Sequence, residues 1–327
     1  MDLFDTCFDT IVRYVMIPFG HNLVTEALRA GILRAFFARA RRQCTLQVQH
    51  LLDSTIVIFT ASVIYLSVLS QMHDSIKDLK FPVNQDSFKG FGLSTKWEVF
   101  WAMLQQRFDA MKAYLTRKSV SKACDNVACG VILPRTRFQH CKGCLTSIYC
   151  SASCQATDWR QGGHRDACES LLQLRLGEPE GVSSRDKSFL RVLVHADYLE
   201  MKQTIIIQEV YHRRTFSSPD VLPYVLFDYS RPYVPCFVTV GAVSGLASTW
   251  KHHVSRARES GRRMRLHVMQ VADGGCTQEW VFPLRTAGPE VALAVEHLAI
   301  NRAVDLMSRE MAARIEGILS LAAVEIH

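Results

Sequence analysis

Seven of the chain's 11 cysteines fall between Cys124 and Cys168, and their spacing is that of metal ligands. They run C-x4-C (Cys124, Cys129), C-x2-C (Cys141, Cys144), C-x3-C (Cys150, Cys154) and finally H-x3-C (His164, Cys168). Zn²⁺ takes four soft or borderline ligands at tetrahedral angles, so four pairs amount to two sites. Cys141-Lys142-Gly143-Cys144 is a tight turn that offers two thiolates together. Cys150/Cys154 and His164/Cys168 are four apart, which on a helix places both side chains on one face. The pairs can fill the sites in chain order, or interleave with the first joining the third and the second the fourth; spacing does not choose. Four protein ligands per ion leave no coordination position for water, so the chemistry is structural rather than catalytic. His140 breaks every pair spacing and reads as a loop histidine. Cys7, Cys44, Cys236 and Cys276 stand alone and need no chemical role.

The pattern extends past the ligands. Cys124-Asp125-Asn126, Cys129-Gly130, Cys141-Lys142-Gly143-Cys144, Tyr149-Cys150-Ser151, Cys154-Gln155, Asp158-Trp159, His164 and Cys168 together resemble a MYND-type zinc finger. The resemblance implies interleaved, cross-brace sites, with Cys124, Cys129, Cys150 and Cys154 on a first structural zinc and Cys141, Cys144, His164 and Cys168 on a second. Two departures, the longer first pair and the extra Gly162-Gly163, read as loop lengthening of the kind in the large fungal branch of MYND proteins. Weaker matches at Glu26 to Leu33 and Arg185 to Arg191 resemble uncharacterised fungal MYND-domain proteins, which supply no reaction. The resemblance also implies protein partners. Fingers of this family bind short proline-rich peptides through a Gln and a Trp four apart, here Gln155 and Trp159.

The alternative it raises is a methyltransferase, because some MYND fingers are inserted in a SET domain; the catalytic site would then lie in the C-terminal region. No Asn-His-x-Cys or Gly-Glu-Glu-Leu motif, G-x-S-x-G elbow or P-loop is present, so the expectation is a non-enzymatic interaction protein with no catalytic residues. Nucleic acid is a poor partner for the finger. Its five basic and three acidic side chains, with seven thiolates against two Zn²⁺, leave a net charge of −1, whereas duplex binding needs a strongly positive face. Across all 327 residues, 38 Lys and Arg against 31 Asp and Glu give only +7. The acidic start MDLFDTCFDT lacks the form of a secretory signal, and clustered thiols fit a reducing compartment, so an intracellular location, cytoplasm or nucleus, is expected.

The ligands must be carried by something larger, since so short a segment has too little core to fold without metal. Residues 1–120 read as a helical N-terminal layer, 121–170 as the finger and 171–327 as an α+β domain with an antiparallel sheet. One helix is expected over Leu23 to Arg42 and another over residues 50–78. The latter includes the charge-free run from Ser54 to Met72, which is near membrane-spanning length but carries seven Ser, Thr or Gln and no flanking Lys/Arg asymmetry. A buried helix is therefore expected rather than a membrane segment. A third helix, from an N-cap at Thr95 to Lys118, carries the stripe Trp97, Phe100, Trp101, Leu104, Phe108, Met111 and Leu115. Loop residues are expected at 81–95 and a linker at 176–184. A helix then runs from a Ser184 cap toward His212. Four strands follow, in YVLFDY, PCFVTVGAV, RLHVMQVA and TQEWVFPL, with a helix at 247–262 between the second and third. A turn at Asp273-Gly274-Gly275 and one or two closing helices from Pro289 to Ile326 complete the reading.

Overall fold

The structure is a computed structural model that describes residues 3–15, 20–42, 45–79, 93–117, 120–176, 182–216, 222–243, 250–273, 276–303, 305–306, 308–321 and 324–327. The expected loop at 81–95 and linker at 176–184 lie mostly outside these residues, as do the two glycines of the expected turn.

The N-terminal region is helical, as expected, but in shorter pieces. α1 (Leu3–Val15) was not anticipated. The single helix read over Leu23 to Arg42 is two, α2 (His21–Arg29) and α3 (Ile32–Ala40). Gly31 separates them at φ +96°, and the Ala30 and Gly31 amides turn back to the Glu26 and Leu28 carbonyls. That left-handed stop suits glycine, so Gly31, inside the single helix expected from the sequence, is a terminator.

The helix expected at 50–78 is likewise α4 (Leu46–Ser62) and α5 (Leu66–Lys77), broken at Val63–Tyr65. Nothing local demands the break. Tyr65 is buried and stacks on His21, and the Ser67 amide near the start of α5 donates to the Asp186 carboxylate at 2.9 Å. A distant side chain thus satisfies an N-terminal amide that a continuous helix would have satisfied internally. Among the described residues no helix is long and apolar enough to cross a membrane.

α6 (Leu93–Thr116) starts before Thr95, which is inside the helix rather than its cap. Its Trp97 packs with Phe36, Phe37 and Phe100, so most of the aromatic stripe is core, although Leu115 is exposed.

The centre of the molecule is α9 (Ser184–Thr215), which follows two finger helices, α7 (Ala152–Gln161) and α8 (His164–Leu176). Its cap is Ser183, whose hydroxyl accepts from the Asp186 amide at 3.0 Å. Phe189, Leu190, Leu193, Val194, Tyr198 and Ile205 recur at helical spacing and are buried against the N-terminal helices and the sheet. Further along, Ile206 and Val210 pack on α11 (Glu290–Ile300) and α12 (Arg309–Leu319).

Four finger strands come first in the chain: β1 (Ser121–Ala123), β2 (Ile132–Pro134), β3 (Gln139–His140) and β4 (Ile148–Tyr149). The main sheet is built from β5 (Pro223–Asp228), β6 (Phe237–Ala242), β7 (Met264–Asp273), β8 (Cys276–Val281), β9 (Leu284–Thr286) and β10 (Glu325–Ile326). Its order is β10-β9-β7-β5-β6, with β8 also paired to β7. The sheet is mixed, which corrects the expected antiparallel one. β6 takes one side of β5 as a hairpin; the chain then crosses through α10 (Lys251–Glu259) and lays β7 along the other side, parallel to β5. β8 and β9 keep one register along β7 and are interrupted at Phe282-Pro283, where proline has no N–H to donate.

Side-chain alternation gives the sheet two apolar faces. Val225, Phe227, Met269 and Val271 join the core of the N-terminal helices and α9, while Leu266, Val268 and Ala257 form a second cluster beneath α10. One core therefore spans elements from both sides of the finger in sequence. Polar contacts follow the same route: Lys96 pairs with Asp53 at 2.6 Å, Tyr233 donates to Asp53, and Arg107 donates to the Pro235 carbonyl at 3.0 Å.

Candidate metal centre

Each ligand pair sits where a short element holds its backbone. β1 pairs antiparallel with β2, and the connecting loop carries Cys124 and Cys129. β3 pairs with β4, and the connection carries Cys141 and Cys144. Cys150 follows β4, and Cys154 lies in the first turn of α7, capped by the Ser151 hydroxyl that accepts from the Cys154 amide at 3.2 Å. His164 and Cys168 share one face of α8, one turn apart.

The ligand atoms converge in two groups, each within 4.8 Å of one another: Cys124, Cys129, Cys150 and Cys154, and Cys141, Cys144, His164 and Cys168. The first pair thus lies with the third and the second with the fourth, a choice that spacing leaves open. Sγ–Sγ separations are 3.8 Å for Cys129 and Cys150, 3.6 Å for Cys150 and Cys154, and 3.9 Å for Cys141 and Cys168. Cys144 Sγ and His164 Nε2 are 3.9 Å apart. The edge of a tetrahedron with Zn–S bonds of about 2.3 Å is about 3.8 Å, so both clusters have room for a zinc ion. A disulfide would need sulfurs about 2.05 Å apart, and all seven cysteines of the two clusters are free.

The second cluster also has the supporting contacts a zinc-bound histidine requires. His164 Nδ1 is 3.3 Å from the Ser147 hydroxyl, which orients the ring with Nε2 toward the thiols. The Ser147 amide lies 3.5 Å from Cys144 Sγ. Burial lowers the His164 pKa and favours the neutral form that ligates. Without a metal, burial pushes the Cys168 thiol up to about 11 and the Cys124 thiol higher still. Metal binding at these positions therefore displaces protons and weakens as pH falls.

Gln155 and Trp159 lie one turn apart on α7. Gln155 is half-buried; Trp159 is 41% exposed, and its ring is edge-on to His164 with centroids 5.7 Å apart. The tryptophan both covers the second cluster and reaches solvent. His140 belongs to neither cluster.

The residues that seat the finger carry no local sequence signal. Arg256 of α10 donates to the Asp125 carbonyl and pairs with the fully buried Asp158 at 3.5 Å, while Asp158 accepts from Tyr149 Oη at 2.7 Å. Arg285 donates to the Cys124 carbonyl at 2.7 Å and Arg263 to the Val127 carbonyl at 3.1 Å. Gly130 approaches so closely that a Cβ there would lie 2.1 Å from the Ala287 carbonyl oxygen. These contacts join the loop of the first cluster to the edge of the sheet across more than a hundred residues of chain. Lone arginines at such separation are invisible to pattern reading.

Comparison with curated proteins gives no match, and comparison with solved structures gives none. Residues 124–168 match the family model described as MYND finger, the same span in which the two clusters form. The chain therefore carries a MYND finger, a zinc-binding module of protein–protein interaction, at residues 124–168.

Proposed function

We propose that the finger holds two zinc ions in a cross-brace, on Cys124, Cys129, Cys150 and Cys154 and on Cys141, Cys144, His164 and Cys168, and that it recognises proline-rich segments of other proteins through Gln155 and Trp159. The observation that carries the peptide reading is the half-exposed Trp159 ring one helical turn from an amide side chain. An aromatic plane beside an amide suits an extended proline-bearing chain, which has little conformational entropy left to lose on binding. Both ions would be closed by four protein ligands, which supports a non-catalytic reading, and thiolate ligation supports a reducing compartment, cytoplasm or nucleus. The division into residues 1–120, 121–170 and 171–327 is retained as a functional one, with the finger seated on a body built from the other two parts.

Titration of proline-rich peptides against the zinc-loaded full chain tests this reading. Trp159→Ala is expected to keep its zinc and lose peptide affinity by about ten-fold or more, the usual cost of truncating a buried aromatic anchor. Unchanged affinity in a zinc-replete Trp159→Ala variant refutes the groove assignment.

A further inference from the structure

The last strand of the sheet is held by little backbone. β10 pairs with β9 over two residues, Glu325 with Thr286 and Ile326 with Arg285, and the Ala287 amide donates to the Val324 carbonyl at 3.2 Å. So short a strand depends on its side chains to stay in place. Its position matters to the finger, because β10 packs on β1, and Ile326 and His327 line a cleft of about 410 Å³ between the finger and the sheet.

His327 is wedged between α9 and β7. Its Nδ1 lies 3.0 Å from His195 Nδ1, and its Nε2 lies 2.7 Å from His267 Nδ1. The Tyr198 and Phe227 rings enclose it at centroid distances of 5.7 and 6.5 Å. Each nitrogen–nitrogen contact holds one proton, because none sets two lone pairs face to face and two set two N–H groups face to face. Three neutral rings carry three protons, two for the contacts and one for the outer nitrogen of His195. His267 Nε2, which is buried and has no hydrogen-bond partner among the described residues, then stays bare. A fourth proton keeps both contacts only by making that nitrogen an unpaired buried N–H and charging one ring, and a fifth breaks a contact.

The surroundings oppose the added charge. Arg191 and Lys202 of α9, Arg265 of β7 and Arg117 after α6 lie close enough to disfavour charged rings at His195 or His327. Lys122 of β1 and Arg285 of β9 line the same cleft as His327, with His252 and His253 of α10. The nearby carboxylates are already engaged: Glu325 by Lys202 at 2.7 Å and Tyr198 at 3.0 Å, Glu209 by Arg265 at 2.6 Å, and Asp125 across the cleft by Arg256 at 3.9 Å.

We propose that this chain of three histidines is a proton-operated latch: on acidification His327 is expelled, β10 leaves the edge of the sheet, and the joint between finger and body opens on that side. In water a released ring takes up its proton without stranding a partner. Uptake of one proton favours release by about ten-fold for each pH unit below the free histidine value of about 6.5. The latch shares no residue with the Gln155–Trp159 face, so either reading can fail without the other.

Hydrogen–deuterium exchange of the zinc-loaded full chain at pH 7.5 and 5.5, corrected for intrinsic exchange rates and with zinc content verified at both values, tests the latch. Segments containing Ala287 and residues 324–327 are expected to lose protection by about ten-fold or more at pH 5.5, while β5 in the middle of the sheet stays protected. Unchanged protection in the wild type overturns the proposal, and so does a loss that spreads to β5, which marks global unfolding. His327→Gln removes the titrating ring and should show equal protection at the two pH values; a fall as large as in the wild type overturns the latch. Should that variant leave β10 unprotected at both values, His195→Gln at the half-buried end of the chain decides: a smaller pH response than the wild type's is expected, and an equal one overturns the proposal.

Discussion

Asp158 shows how one side chain couples the finger to the rest of the molecule. It is fully buried, accepts from Tyr149 beside the ligand Cys150, and faces Arg256, itself nearly buried, from the far side of the chain. Removing the carboxylate strands a buried guanidinium and a phenol, and breaking such a pair costs about 3–5 kcal/mol. Asp158→Ala is thus expected to destabilise the folded chain by that order in chemical unfolding. An Asp158→Ala/Arg256→Ala double variant should lose less than the sum of the single losses, because the second change removes the charge the first left unpaired. Additive losses would show that the two side chains act separately. The same neighbourhood separates what residue types announce from what they conceal. Eight ligands were legible because zinc chemistry restricts both residue type and spacing, whereas Arg256, Arg263 and Arg285 were not, since a hydrogen bond to a backbone carbonyl asks nothing of the sequence nearby.

Among the elements, the two helix breaks have different origins. Gly31 stops α2 through its own backbone: φ is +96°, and nothing lies within 4 Å of where a Cβ would be. Gly31→Ala should therefore cost about 1–2 kcal/mol from conformational strain alone, with no steric part. A thermal or urea midpoint equal to wild type would disprove the strain. The break at Val63–Tyr65 depends on distant partners, His21 under Tyr65 and Asp186 on the Ser67 amide. Helical periodicity continues across both breaks, which explains why each pair read as a single helix. The parallel pairing of β5 and β7 escaped in the same way: the strands were legible from their composition, but neighbours in the sheet are chosen by which side of β5 remains after β6 has paired.

At the scale of the molecule, β10 is fastened to α9 and β7 by a buried polar cluster. Glu325 accepts from Lys202 at 2.7 Å and Tyr198 at 3.0 Å, while His327 lies 3.0 Å from His195 and 2.7 Å from His267, ring nitrogen to ring nitrogen. Burial, with the neighbouring histidines and Arg265, holds His267 and His327 well below the usual histidine pKa. A lowered folded pKa means the unfolded chain binds more protons below about pH 6.5, so stability is full above that value and declines as pH falls beneath it. Measured at constant zinc content, unfolding free energy should fall between pH 7.5 and 5.5, and His267→Gln should flatten that slope. An unchanged slope in the variant would show that the cluster does not titrate on unfolding.

What the sequence determined by itself was the finger: eight ligands at metal spacings, the turn and helix segments that present them, and a match extending to Tyr149, Gln155 and Trp159. Such features are local, because a metal ion demands its ligands within a few ångströms and short spacings deliver them. It also determined a helical first third through hydrophobic period, and four strand segments of the last third through their β-branched and aromatic composition. The tertiary structure alone decided where helices stop, which strands run parallel, that one core unites the regions before and after the finger, and that three histidines from distant parts of the chain meet at β10. Those outcomes rest on contacts between residues far apart in the chain, and burial, charge and hydrogen bonding at such contacts leave no periodic trace along it.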